Sequence, residues 1–154
     1  MGLFDKMTGT RHPDSGVAPR SAEEVRAALL ALNGPDVRFS VREDTSKERV
    51  GLVAECAVPE VRLTLKTRMR LVPAAHEVRT FDERWEGSAL ELSRGQYSRG
   101  QVTTVYRKWT YELEDDGRRH KVETFRFDPA EMKDPLRAAV LDAGWTWRGV
   151  LFRL

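Results

Sequence analysis

The clearest pattern in the chain is the alternation of residues 61–71. Val61, Leu63, Leu65, Thr67, Met69 and Leu71 hold the odd positions, and Arg62, Thr64, Lys66, Arg68 and Arg70 the even ones. Successive side chains of a strand point to opposite faces, so this stretch predicts a strand with one buried and one wet face. More strands surround it. Phe39-Ser40-Val41-Arg42 and Val50-Gly51-Leu52-Val53-Ala54-Glu55-Cys56 flank the polar turn 43–48 and predict a hairpin. Residues 102–113 read as a long strand with Val105, Trp109, Tyr111 and Leu113 on one face. Asp115-Asp116-Gly117-Arg118 then turns the chain, and residues 120–127 return. Between these, Ala89-Leu90-Glu91-Leu92 fits a short strand, followed by a loop over 93–100.

Two segments carry helical spacing instead. Ser21-Ala22-Glu23-Glu24 is a capping box, and Val25, Ala28, Leu29 and Leu32 form the stripe of the helix it opens before Asn33-Gly34-Pro35 ends it. Leu136, Ala139, Val140 and Ala143 repeat the pattern near the other end. There Asp134 is the expected cap, Pro135 the first helical residue and Gly144 the left-handed exit, with a separate single turn at 128–131. Beyond Gly144, Trp145, Trp147 and Leu151 share one strand face, and Val150 and Phe152 the other. So much aromatic surface predicts a tail locked into the core, with Gly149 at a bulge or a close backbone approach. Residues 1–20 read as a flexible leader in which Leu3, Phe4 and Met7 fit one helical turn. That turn either docks on the domain, on a partner or on lipid, or is a frayed end.

Parity decides how strand 61–71 meets the next. Pairing Val72 with Glu77 would put Phe81 and Trp85 on the wet face beside Arg68 and Thr64. Pairing Val72 with Val78 puts Phe81 against Met69 and Trp85 against Leu65, with Asp82 opposite Arg68 outside. Burying a Phe and a Trp outweighs one surface ion pair, so the second register and a five-residue loop at 73–77 are expected. The element order is helix, about six antiparallel strands, helix, strand. It predicts one α+β domain over 21–154, an antiparallel sheet of six or seven strands with both helices packed on one face.

Composition narrows the function classes. The 154 residues include 26 basic and 24 acidic side chains, with no block of one sign at either end. Net charge therefore gives no support for nucleic acid. One cysteine, Cys56, excludes an intramolecular disulfide and a cysteine metal cluster. No apolar run is long enough to span a bilayer, residues 1–6 lack a signal-peptide core, and Lys6 stands where an N-myristoylation pattern wants Ser or Thr. A cytoplasmic protein is expected.

Chemistry is sparse. His12, His76 and His120 lack the spacing of metal ligands, and Cys56 has no histidine neighbour. Asp82 and Glu83 point to opposite strand faces, and Asp115 and Asp116 belong to a turn. No phosphate loop or serine elbow occurs. No catalytic residue, cofactor or metal is expected. Two features stand out. Arg62, Lys66, Arg68 and Arg70 form a basic stripe, either a surface for an anionic partner or a solvated face balanced by neighbours such as Asp82 and Glu86. Arg107, between Val105 and Trp109, either stacks within the core or reaches into a pocket with Trp109 and Tyr111 to bind an anion. The leading reading is a non-catalytic binding or protein-interaction module. Two others stand beside it: a ligand-binding protein or enzyme with a pocket at Arg107, and a membrane-surface protein that uses Leu3, Phe4 and Met7 with the stripe.

One resemblance adds to this. Residues 66–71, His76-Glu77-Val78-Arg79 and 143–150, with Met1-Gly2-Leu3-Phe4-Asp5-Lys6 and residues 22–29, resemble a group of small uncharacterised proteins from actinobacteria. The resemblance implies a cytoplasmic actinobacterial protein and transfers no activity, cofactor or catalytic residue.

Overall fold

Two copies of one short motif set the geometry of the main sheet. Val58-Pro59-Glu60-Val61-Arg62 and Val72-Pro73-Ala74-Ala75-His76 each leave a strand through a proline-led 3-10 turn. Each returns through a residue in the left-handed region, Arg62 at φ 52° and His76 at φ 46°. The amides of Arg62 and His76 donate to the carbonyls of Pro59 and Pro73 and close both turns. The structure, a computed structural model, describes residues 2–44, 51–87 and 96–151. The expected turn residues 45–48, Val50, the short strand 89–92 and Phe152 lie outside the described residues.

The strands β1 (Phe39–Asp44), β2 (Gly51–Val58), β3 (Leu63–Val72), β4 (Glu77–Glu86) and β5 (Gln96–Arg99) are antiparallel neighbours in that order. A separate two-stranded ribbon is formed by β6 (Tyr106–Leu113) and β7 (Arg119–Phe127). The last strand, β8 (Thr146–Gly149), runs parallel to β4 along Glu77–Thr80, on the side where β5 holds the other half of β4. The helices are α1 (Leu3–Thr8), α2 (Ala22–Leu30) and α3 (Ala130–Asp142). None is long and apolar enough to cross a membrane.

The odd-numbered face of β3 is buried, as its alternation predicts. Leu63, Leu65 and Met69 join Phe39, Val41, Leu52, Ala54, Cys56 and Val78 in one core. Val25 and Leu29 of α2 and Met132, Leu136 and Val140 of α3 cover that face. The two helices pack on the same side and touch each other, giving the α+β architecture expected. The capping box at Ser21 forms, with Glu24 N–H donating to the serine oxygen at 3.2 Å.

The β3–β4 register is the one the burial argument rejected. Val72 pairs with Glu77, so Phe81 lies opposite Arg68, Trp85 opposite Thr64 and Asp82 opposite Thr67. Two physical reasons correct the expectation. The proline turn at 73–76 is a four-residue link, which fixes parity as its twin does between Val58 and Leu63. The sheet also buries part of its second face, where Val53 and Phe81 are nearly inaccessible, so Phe81 loses nothing there. Strand 61–71 is shortened for the same reason: Val61 belongs to the turn and β3 starts at Leu63.

The last helix starts earlier than expected. Asp128 accepts from Ala130 N–H and Glu131 accepts from Asp128 N–H, both at 3.0 Å, so the chain enters α3 at Ala130, four residues before Asp134. Asp134 instead pairs with Arg137 at 2.7 Å. Pro135 sits inside the helix. It forgoes one bond to the Glu131 carbonyl near the helix start.

Residues 2–20, expected as a leader, run against the aromatic tail. Trp145 and Trp147 are each 1% exposed. The Trp145 indole donates to the Arg20 carbonyl at 2.8 Å, and Arg11 and Trp147 exchange two backbone hydrogen bonds at 2.8 and 2.9 Å. Gly149 marks a close backbone approach: a Cβ there would collide with the Thr8 carbonyl. Its N–H donates to Thr10 Oγ1 at 3.1 Å.

Candidate functional site

The basic stripe does not survive as a stripe. Arg62 occupies the left-handed corner of the first proline turn and is off the strand. Lys66 lies 3.8 Å from Glu55 and 5.2 Å from the Trp85 ring centroid. Arg68 holds Glu83 through Nε and Asp44 through Nη1 at 3.2 Å. Pairing places its stem between Val53 and Phe81. Each cation on this part of the face therefore meets a carboxylate from a neighbouring strand, which screens it from a partner.

What emerges runs across the strands. Arg70 of β3 lies opposite Arg79 of β4, which lies opposite Arg148 of β8. Arg79 and Arg148 both donate to the buried Glu77, at 2.7 and 2.8 Å. Arg70 is exposed and makes no ion pair among the described residues. Burial pushes the Glu77 carboxyl up, but Arg148 and Arg79 more than offset this and hold it below the usual carboxylate range. A lowered folded-state pKa contributes stability at neutral pH that is lost as pH falls through that value. Glu77→Gln should therefore lower the melting temperature at pH 7, and the difference from wild type should shrink as pH falls through the lowered folded-state value of the carboxyl. A pH-independent difference between the two proteins would refute this.

Asp82 turns inward, beneath α3. Thr67 Oγ1 donates to its Oδ1 at 2.8 Å, and Lys133 Nζ and the Val102 amide reach Oδ2 at 2.6 and 3.4 Å. Both oxygens accept hydrogen bonds, so the carboxylate is a satisfied part of the packing between α3 and the sheet. Lys133 went unnoticed in the sequence because only the register and the helix position bring it over β4.

Arg107, Trp109 and Tyr111 come together on an exposed surface. They lie on the β6–β7 ribbon, where the register puts Trp109, Tyr111 and Leu113 on one face with Glu123, Lys121 and Arg119. Trp109 is 43% exposed, Tyr111 67% and Leu113 71%. Lys121 Nζ sits 4.5 Å from the Trp109 ring centroid, and Arg107 is 3.9 Å from Glu123. The ribbon is fixed at both ends. Gly117 at φ 79° and the Arg118 N–H bond to Asp116 Oδ1 make its turn. At the base Phe127 is buried, and the Tyr106 hydroxyl donates to Glu86 at 2.8 Å while accepting from Arg84 at 3.2 Å.

Two crevices open elsewhere. One of about 100 Å³ lies between Arg38, Cys56, Phe127 and Glu131, and one of about 170 Å³ between Gln101, Asp128, Lys133 and Arg137. Both fall short of the roughly 300 Å³ at which small-molecule sites begin. Burial pushes the Cys56 thiol up to about 11, so it lacks the thiolate that a nucleophile needs. Folded protein at about pH 8 should react with a disulfide reagent only as fast as it opens, and denaturant should release the thiol at once. Prompt reaction of the native protein would contradict its burial. Among the described residues no three His, Cys, Asp or Glu side chains converge for a metal ion. Comparison with protein-family models, with curated proteins and with solved structures finds no match.

Proposed function

We propose that the chain is a non-catalytic protein-interaction module whose contact surface is the exposed face of the β6–β7 ribbon. The observation that carries this reading is the row Trp109, Tyr111 and Leu113, presented to solvent on a ribbon with no third strand among the described residues. Exposed aromatic side chains fixed on a rigid element are the usual anchors of a binding surface.

Charge favours an acidic partner. On the same face Arg119 and Lys121 stand beside Leu113 and Tyr111, and the one facing carboxylate, Glu123, is engaged by Arg107. A second copy docked antiparallel would bring Leu113 and Arg119 of one ribbon against Arg107 of the other, placing like charges together. A phosphate backbone tracking the ribbon would pass Glu112, Glu114, Asp115 and Asp116 near the tip. A protein surface can set carboxylates opposite Arg119 and Lys121 and leave the tip uncontacted.

Selection from an array of short peptides of graded charge tests this. The protein should retain acidic peptides bearing large apolar residues, and Trp109→Ser with Tyr111→Ser should abolish retention. Both side chains are exposed, so the double variant should lose no more than about 1 kcal/mol of stability. Retention indifferent to peptide charge, or unchanged in the variant, would overturn the reading. Stronger binding to a single-stranded oligonucleotide would overturn the assignment of partner class.

A further inference from the structure

A six-residue helix has almost no stability of its own, because its nucleus costs more than so few hydrogen bonds return. Nevertheless α1 is held in place at its C-terminal end. Gly9 closes it in the left-handed region at φ 71°, Thr8 and Thr10 hydroxyls bond each other at 2.7 Å, and Thr10 also accepts from Gly149 N–H. Thr10 N–H donates to the Asp5 carbonyl at 2.9 Å, and His12 takes the Asp5 carboxylate at 3.1 Å. Arg11 continues the clasp as a backbone partner of Trp147. All of this binds one end and one side of the helix. The other side carries Leu3, Phe4 and Met7, exposed at 77, 62 and 59%. Their spacing of i, i+1 and i+4 makes one patch.

We propose that α1 docks on an anionic phospholipid surface, with Leu3, Phe4 and Met7 entering the interface. Two observations select this occupant. The first is area: three side chains on one and a half turns offer on the order of 400 Å², about half of what each partner contributes to a stable protein–protein interface. A bilayer interface asks for no complementary patch and accepts small apolar insertions when cations stand beside them. The second is charge. The one carboxylate of α1, Asp5, is engaged by His12 at 3.1 Å in the clasp, and the exposed Lys6 places a cation on the helix itself. The row Arg70, Arg79 and Arg148 crosses three strands and ends on β8, the strand to which α1 is clasped. Arg79 and Arg148 share the carboxylate Glu77 and Arg70 is exposed with no ion pair among the described residues, so the row keeps an excess of positive charge close to the helix.

This surface is separate from the ribbon face, so its test is separate too. The full chain is sedimented with vesicles of phosphatidylcholine alone and with about 30% phosphatidylglycerol, a content giving an anionic surface potential. Wild type should bind the anionic vesicles, more weakly as salt rises from low to physiological ionic strength. Phe4→Ser with Met7→Ser should lower the partition coefficient at least tenfold, and Arg70→Ser with Lys6→Ser should remove most of the salt dependence. Trp109→Ser with Tyr111→Ser should bind as wild type does. Melting curves confirm that each variant is folded, since none of these side chains is buried. Absence of binding to anionic vesicles, or binding unaffected by the Phe4 and Met7 changes, overturns the proposal. So does a concentration-dependent dimer that Phe4→Ser disperses, which would assign the patch to a second copy of the chain.

Discussion

Trp147→Ala should destabilise the protein by about 3–5 kcal/mol, a large share of the 5–15 typical of a domain. The side chain is 1% exposed, lies beside Val78 on the core face, and its backbone joins β4 on one side and Arg11 on the other. Removing the indole leaves a cavity lined by residues that several elements hold in place, so it cannot collapse cheaply. A chain ending at Gly144 loses Trp145 as well, together with the parallel pairing of β8. It should show no cooperative melt at the wild-type temperature. Urea titration of the point variant and calorimetry of the truncated chain check both statements. If the truncated protein melted as wild type does, the tail would be a docking peptide and its burial against β4 incidental.

The parts of this fold that were legible in the sequence are those where one periodicity meets one environment. Strand 63–72 alternates because α2 and α3 cover only its odd face, and the capping box at Ser21 works within four consecutive residues. The β3–β4 register was misjudged although a signal existed. Val-Pro-x-x followed by Arg or His occurs at 58–62 and again at 72–76, and the same local geometry forces the same parity in both places. The competing argument, that Phe81 and Trp85 must sit on the apolar face, failed because the second face is itself partly buried. There the stem of Arg68 runs between Val53 and Phe81 while its head stays with Glu83 and Asp44.

The candidate surfaces were legible only as residue types. Arg107, Trp109 and Tyr111 alternate as a core face would, and nothing local reveals that β6 and β7 stand apart from the main sheet. Separation turns the same pattern from interior packing into an exposed row. Likewise Arg62, Lys66, Arg68 and Arg70 are evenly spaced in sequence, but β2 and β4 bring Glu55 and Glu83 alongside Lys66 and Arg68. The row that keeps its charge, Arg70 with Arg79 and Arg148, is assembled from three strands by a parallel pairing between segments nearly seventy residues apart in sequence. Long-range contacts of this kind have no short-window signature.

The second large effect concerns the cluster on the helix face of β4. Lys133→Met should destabilise by about 3–5 kcal/mol, because it leaves the Asp82 carboxylate buried with only Thr67 and the Val102 amide as donors. The Lys133 and Asp82 side chains are 13 and 8% exposed, so water compensates little. Asp82→Leu alone should cost a similar amount, stranding an ammonium ion against Leu65 and Met132 in a crevice with almost no room for solvent. The double variant should recover most of the loss, since an apolar pair of similar volume removes both desolvation penalties together. Urea denaturation of the four proteins gives the coupling energy directly. Singles that cost less than about 1 kcal/mol and simply add in the double variant would show that the two charges do not depend on each other. Recovery in the double variant would show that the Lys133–Asp82 pair fastens α3 to the sheet in a way an apolar contact can replace. The expected cost follows from a lysine on α3 meeting a carboxylate fifty-one positions earlier, on the face that strand alternation alone would have left apolar.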